Sequence, residues 1–526
     1  MYNMNIFKEI ITCGVAGLVL VAGLVLTVSS LSAQEIVPKK NVFTLEMGDS
    51  LGSWRNSRNA AGLSWDKPMA FSRIQMDYAL EDGNFKRPEA PARSNSQGVY
   101  AIGNTHIKDS YIQGFLSYNR HKREDASFNA SLIDPTRDMP YRVLDSNASD
   151  WINQHYKMGF DWTSRVFRDR WSVGVVMNYE ASSGAKQRDI RANISSYALE
   201  ISPGVVYALT SKQRIGAHIS YRNRKEESEN SNVNVYVDQG YYLHYGLGHA
   251  VPYVGSGTNL NYKGDTWGAG LQYEVEGDWD LFVSSAYGIG AERVTMGLLE
   301  TRSEGLLLRK DISTEVRAKR ITGQHVHRIT LAHRWNRTVG TEFWNEFVSG
   351  LESEGYVNRY RANRSRYGGQ QWKASYLWMD GTAWGYRWKI DATVAYEKEN
   401  DRYILPESRM NIAHVDYGIG LSRAFSWSGS VCAIGAKVWR KQNLTADYSY
   451  GGNRPDEWPV TELMQGDLRY LGASYWRVDV PLTYTFALPK GNQQELYIRG
   501  NLFWIDPAGA GVTNRKGGEL ALGMTF

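Results

Sequence analysis

The sequence predicts an all-β protein: a transmembrane antiparallel up-and-down β-barrel of about eighteen strands, with sixteen or fourteen as the alternatives, and a plug-like N-terminal segment in its lumen. Three observations predict it. Segments of alternating hydrophobicity recur from Phe71 to Phe526 at the period of two that a half-buried strand requires. Short turns alternate with long polar loops over the same stretch, the pattern of a barrel with tight periplasmic and long external connections. The composition excludes helical spans: 33 Tyr, 18 Trp and 51 Gly accompany a mean hydropathy of -0.46. Beyond the first 33 residues no run of about 18 apolar residues occurs. A barrel strand shows lipid one face only, so the chain averages as polar.

In chain order, residues 1–33 read as an export signal, with an apolar core from Ile10 to Leu26 and a small-residue end at Leu31-Ser32-Ala33, before Gln34. Cleavage there leaves Cys432 as the remaining cysteine, so no intramolecular disulfide is expected. Residues 34–70 read as an N-terminal periplasmic or plug segment and residues 71–526 as the barrel. The formal charge of +5, from 60 Lys and Arg against 55 Asp and Glu, is too small a bias to expect nucleic acid as a partner.

Within the barrel, Tyr156, Met158, Phe160 and Trp162 share one face of a strand, and Lys157 and Asp161 the other. Trp388, Ile390, Ala392, Val394 and Tyr396 alternate with Arg387, Lys389 and Asp391; Trp476, Val478, Val480 and Leu482 alternate with Arg477 and Asp479. Together with Arg73 and Asp77, these charged residues are expected to line a wet lumen. Aromatics at the ends of the apolar stripes suit interfacial girdles. Tight turns are expected at Lys108-Asp109, Arg168-Asp169, Thr210 to Lys212, Gly277 to Trp279, Asn336 to Gly340, Gly381 to Trp384, Ser426 to Ser430 and Pro489 to Gln493. Long loops are expected over 120–150, 224–262, 290–320, 352–370 and 441–470; the Phe343-Trp344-Phe347 segment also admits a helix, and Gln97 to Ile107 is a weakly patterned strand.

The end of the chain is its most specific motif. Leu520, Leu522, Met524 and the terminal Phe526 alternate with Glu519, Ala521, Gly523 and Thr525. This resembles the C-terminal insertion signal of outer-membrane barrels, which implies a strand read by the barrel-assembly machinery and then closed against the first strand. Just before the first strand, Ser57-Arg58-Asn59-Ala60-Ala61-Gly62-Leu63-Ser64 resembles the Asn-Pro-Ala-Gly-Leu segment of the long-chain fatty-acid transporter type, with Ala60 in place of Pro. The match covers five residues and implies a lumenal hatch. The Ala33-Gln34 junction and the Tyr-, Trp- and Asn-rich strands resemble uncharacterised outer-membrane barrels of the Bacteroidetes group. Some of these accompany energised uptake receptors, which implies a TonB-dependent receptor or a surface lipoprotein as a partner beside outer-membrane lipid.

No nucleotide-binding loop, zinc-protease helix or serine elbow occurs. His414 and Asp416, two apart on a lumenal face, are the pair that a hydrolase at the barrel rim would use as an oriented base, against the reading of a plain hydrogen-bonded pair. His325 and His327 share a face, but without His333 or a carboxylate they make no metal site, and no cofactor is expected. The richest recognition surface is the loop carrying Tyr236, Tyr241, Tyr242, His244, Tyr245, His249, Tyr253 and Tyr262, which serves either ligand capture or a packed lid. The sequence therefore favours a non-enzymatic channel or transporter for a small solute, gated by residues 34–70 and the external loops. A surface-binding accessory subunit and a rim hydrolase are the alternatives.

Overall fold

The computed structural model describes residues 41–526, apart from 56, 235, 238, 256, 298–300, 350–353, 383, 428, 488–493 and 509–512. The expected export segment and the expected turn at Pro489 to Gln493 lie outside the described residues. Eighteen antiparallel strands form one closed sheet. Closure is made by the first strand, Phe71–Gly83, against the last, Arg515–Thr525. Ile74, Met76 and Tyr78 stand opposite Met524, Leu522 and Leu520, and Phe526 and Ser72 exchange both backbone hydrogen bonds at 3.0 and 2.9 Å.

Period two sorts the side chains as expected. Met76, Met158, Phe160, Ile219, Leu331, Val394, Ile419 and Leu522 are exposed on the exterior, where hydrocarbon covers them. The registers stack these residues into rows. On neighbouring strands, His327, Trp378, Ile390 and Leu421 lie level; Leu331, Ala374, Val394 and Tyr417 lie level; and Trp335 begins the last row. From residue 327 to 335 the band is nine residues tall, close to the roughly 9–11 that a tilted strand needs to cross a bilayer.

Two expectations about connections are corrected. Asn336 to Gly340 is no turn; it lies inside the strand His325–Ser349, and the chain reverses instead at Gly323, with φ +61°. The stretches 290–320 and 352–370 are mostly strand, within Asp280–Met296, Arg302–Thr322 and Glu354–Thr382, and the Phe343-Trp344-Phe347 segment is strand rather than helix. Their polarity suggested loops, but strands that run past the bilayer need no apolar face, because the neighbouring strand satisfies the backbone whatever the side chains are. Gly340 and Gly305 are glycines for a tertiary reason. A Cβ on Gly305 would stand 2.2 Å from the ring of Tyr141, and one on Gly340 2.6 Å from its hydroxyl.

The loops over 127–148, 232–259 and 450–473 do leave the barrel sheet and fold back over its mouth. Arg142–Leu144, Gln239–Gly246 and His249–Gly255 form a separate three-stranded sheet. The third loop carries the helical turns Pro459–Met464 and Gln465–Leu471.

Candidate functional site: a lumen closed at both ends

At the short-turn end the helix Val42–Leu51 starts with a reciprocal cap, Asn41 Oδ1 accepting the Thr44 N–H and Thr44 Oγ1 accepting the Asn41 N–H. Its Phe43 is buried among Met379, Tyr386, Ala424 and Val431 of the wall, edge-on to Tyr386 at 5.7 Å. Glu46 ion-pairs with Lys389. The chain then crosses to the opposite wall through a turn clamped by Asp66, whose carboxylate accepts the backbone N–H groups of Ser53, Trp54 and Arg55 at 3.1, 2.7 and 3.0 Å.

Trp54 is buried against Phe282 and donates to Glu274 at 2.6 Å. Asn59 is fully buried; its amide donates to Val205 O, Ala217 O and Gln272 Oε1 at 3.1, 3.2 and 3.0 Å. Gly62 lets this turn close, since a Cβ there would stand 2.1 Å from the Trp54 ring. Every wall residue in these contacts alternates with an outward-facing neighbour, so the described residues of the 41–66 segment lie inside the barrel.

The long-loop end is closed by the three-stranded sheet. Tyr141, Val143, Tyr241 and Leu243 pack on Leu260, Tyr262, Val294 and Leu307 of the inner wall. Arg137 pins the lid to two wall carboxylates, Glu226 at 3.1 Å and Glu292 at 2.7 Å. Within the loops, Arg142 pairs with Glu89 at 2.6 Å, and Arg87 reaches Asp467 with two bonds of 2.9 and 2.8 Å.

Between plug and lid lies a cavity of about 920 Å³. Arg328 and Lys441 both line it and fix its position. Arg328 donates to Ser50 O of the plug helix at 3.3 Å, and Lys441 to Leu471 O of the lid at 2.7 Å. Arg334, Lys373, Asp416 and Ser375 also line it. Arg477 and Asp479 face the cavity as a two-bond pair at 2.8 Å. It is a charged, water-accessible chamber, suited to hold a polar solute by transverse pairs of opposite sign.

The structure places the other candidate residues as follows. Arg73 lies over the Tyr100 ring at 5.3 Å, Lys157 faces Glu180 at 3.5 Å, and Asp161 accepts from Gln113 at 3.2 Å, all on the lumenal face. Asp77 lies on this face too, where a Cβ on Gly98 would meet its carboxylate at 2.4 Å. Lys437 pairs with Asp391 at 3.4 Å. Arg387 is the exception: it is the unpaired residue of a bulge, where Asp380 pairs Trp388 and Gly381 pairs Tyr386, and it meets Asp380 at 2.8 Å at the rim. One extra residue reverses the parity on which its lumenal placement rested.

His414 lies 3.2 Å from Asp416 and 3.7 Å from Glu397, beneath the lid rather than at an open rim. His325, His327 and His333 alternate with inward-facing Arg328, Thr330 and Ala332, so they face outward, beside Trp378, Tyr376 and Trp372 of the next strand.

Of the loop candidates, Tyr236 is fully exposed, whereas Tyr241, His244 and His249 are buried. Tyr241 stacks on Tyr253 at 5.8 Å, Tyr242 packs edge-on to Trp458 at 4.9 Å, and Tyr245 donates to Glu304 at 3.2 Å. Apart from Tyr236, their side chains build the lid. The Arg137 clamp, the Asp66 clamp and Trp54 are not singled out by the sequence. A signal existed for the first: Glu226 and Glu292 stand at inward positions of otherwise regular strands.

A closed sheet with an apolar outer band, aromatic girdles and a charged lumen defines a β-barrel of the outer-membrane kind. The chain belongs to the family of unknown function DUF6850, whose model matches residues 60–526. No curated protein matches it in sequence. Among solved structures it is similar to the ferric preacinetobactin receptor BauA of Acinetobacter baumannii, at 8% identity and a TM-score of 0.39, over 87% of this chain and 80% of that one. It is similar to the ferric-catecholate import receptor Fiu of E. coli K12, at 9% identity and a TM-score of 0.35, over 86% and 81%. The outer membrane protein OpdK of Pseudomonas aeruginosa gives 10% identity and a TM-score of 0.30, over 87% and 99%. These likenesses bear on none of the residues above.

Proposed function

We propose that this barrel is an outer-membrane transporter for a small polar solute, with its path closed from below by residues 41–66 and from above by the lid. The observation that carries this reading is the charged chamber of about 920 Å³ held between two separately docked closures. A barrel whose only task was to display loops has no need of a wet, charged chamber beneath them. The test is single-channel conductance of the folded protein in a planar bilayer, beside a form lacking residues 34–70, with folding of both checked by heat-modifiable gel mobility. Steps that appear or grow on deletion support the reading; silence in both forms, together with no solute uptake, overturns it.

A surface-binding accessory subunit is the second reading. The observation in its favour is the hairpin of His325–Ser349 and Glu354–Thr382, which carries Trp344 and Tyr360 exposed beyond the apolar band. A TonB-dependent receptor or surface lipoprotein that co-purifies in fixed ratio from native membranes favours this reading over transport.

A further inference from the structure

On the barrel exterior, one step beyond the Trp335 row at the long-loop end, the registers gather basic side chains with like charges facing each other. Lys310 stands directly opposite Arg337, and Arg366 directly opposite Arg402. Gly368 pairs with Arg337 and lies two residues from Arg366, so the first couple is separated from the second by an open floor. Asn336, Arg337, Arg366, Gly368 and Asn400 line a hollow of about 340 Å³ there. Further round the barrel, Lys263 stands opposite Arg293 in the same way.

Like charges opposite each other on one sheet face are unfavourable, and the usual remedy, a neighbouring carboxylate, is withheld here. Among the described residues Lys310, Arg337 and Arg366 have no ion pair, and only Arg402 finds one, with Glu407 at 2.9 Å. The acids of the same strands point the other way. Glu397 faces His414 inside the barrel, and Glu399 and Asp401 share its face by period two, while Lys398 and Arg402 point out. Arg309 turns inward to Glu292. Around these couples, then, the strand Gly385–Tyr403 sends its acids Glu397, Glu399 and Asp401 to the lumen, while Lys310, Arg337, Arg366 and Arg402 stay on the exterior just beyond the apolar band.

We propose that Lys310, Arg337 and Arg366 form a binding site for a phosphate-bearing lipid headgroup in the leaflet on the long-loop side. Guanidinium groups offer paired N–H donors to phosphate oxygens, and an anion between the facing bases removes their repulsion. The apolar rows beneath, from Trp335 to Leu331, take the acyl chains. This inference rests on the orientation of the barrel in its membrane and not on transport.

The test uses the full folded chain in dodecylphosphocholine micelles, with retained lipid counted by native mass spectrometry. The probes are diphosphorylated lipid A, its dephosphorylated form and phosphatidylcholine. The variants are K310Q/R337Q/R366Q and, as a control at the short-turn end of the same surface, R320Q/R423Q. The expected result is retention of lipid A by the wild type and the control at a level at least about tenfold above the triple variant, since each basic group near an anionic headgroup contributes measurably. Neither the dephosphorylated lipid nor phosphatidylcholine should be retained above the level of the triple variant. Equal retention by the triple variant and the wild type overturns the site. Displacement of lipid A by millimolar inorganic phosphate also overturns it, because the ligand is then the free ion and not the lipid. Unaltered conductance in the triple variant would leave the transport reading untouched, so the two can fail separately.

Discussion

Trp54 of the plug donates its indole N–H to Glu274 of the barrel wall at 2.6 Å, across 220 residues of sequence. Arg214 holds the same carboxylate oxygen at 2.9 Å, and its guanidinium lies 4.7 Å from the Trp65 ring. One wall carboxylate thus ties the plug turn to a neighbouring strand. The plug is docked by long-range contacts of this kind, and the lid by a separate set.

Trp54→Ala is expected to cost about 3–5 kcal/mol of plug docking, because it empties a buried indole site and removes a donor. Trp54→Phe keeps most of the ring and loses the bond, at about 1–3 kcal/mol. Limited proteolysis within residues 41–66 measures the difference. A segment in Trp54→Ala as protected as in the wild type would show that Trp54 does not hold the plug.

Asp66 makes plug docking sensitive to pH in one direction. Burial, with Glu274 nearby, lifts its carboxyl from the ordinary 3.8 to about 6, against the lowering effect of the Trp54 and Ser53 N–H donors. The docked state then holds the proton more tightly than the released one, so docking weakens as pH rises through the window from about 4 to about 6 and is flat above it. The loss is on the order of 2–3 kcal/mol. Hydrogen exchange of the plug amides from pH 4 to 7 should follow this slope in the wild type and lose it in Asp66→Asn.

The lid has the opposite dependence. His244 Nδ1 reaches Pro140 O at 3.1 Å, and its Nε2 accepts the Gly248 N–H at 3.3 Å, so the neutral ring protonated on Nδ1 fits both bonds. Burial, with Arg142 and His249 nearby, holds its pKa well below the usual value. His249 stacks on Tyr403 at 3.8 Å, lies beside Tyr450, and meets Ser408 at 2.8 Å; burial pushes it down to about 4. The opened lid binds protons that the closed lid refuses, so closure weakens as pH falls from about 6.5 toward 4. Exchange of the 239–255 amides should quicken over that window, and less so in His249→Phe, which can stack but not titrate. An unchanged slope in that variant would remove His249 from the switch.

Arg137→Met is expected to open the lid. It leaves Glu226 and Glu292 without the cation that bridges them, and breaking a buried pair costs about 3–5 kcal/mol. Arg224 and Arg309 still reach those carboxylates, so the loss should fall at the low end of that range. Adding Glu226→Gln should recover part of it. Conductance in the plug-deleted background reads the result: larger steps in Arg137→Met and smaller ones in the double variant. Identical steps in all three would mean the clamp does not hold the lid.

How far the site was legible follows from what each residue depends on. Met158, Val394 and Leu522 were placed outward by parity alone, and Lys157, Asp161 and Asp479 inward, because neighbouring residues on a strand must alternate. Parity failed at Arg387, where a bulge adds one residue, and turn chemistry failed at Gly340, where glycine makes room for the lid's Tyr141 rather than for a reversal. The plug was visible as a resemblance at Asn59 and Gly62, but not in its contacts. The tyrosines of the long loop were visible as a cluster, and their burial was not.

The sequence by itself determined an antiparallel barrel of about eighteen strands, its apolar band and its closing strand, since these depend on period two, while the structure settled the number at eighteen. Only the tertiary structure decided that Trp54 meets Glu274, that Arg137 bridges Glu226 and Glu292, and that Lys310 faces Arg337 with no acid between them. Those relations depend on strand register and on what crosses the lumen, and they join residues that the chain itself keeps far apart.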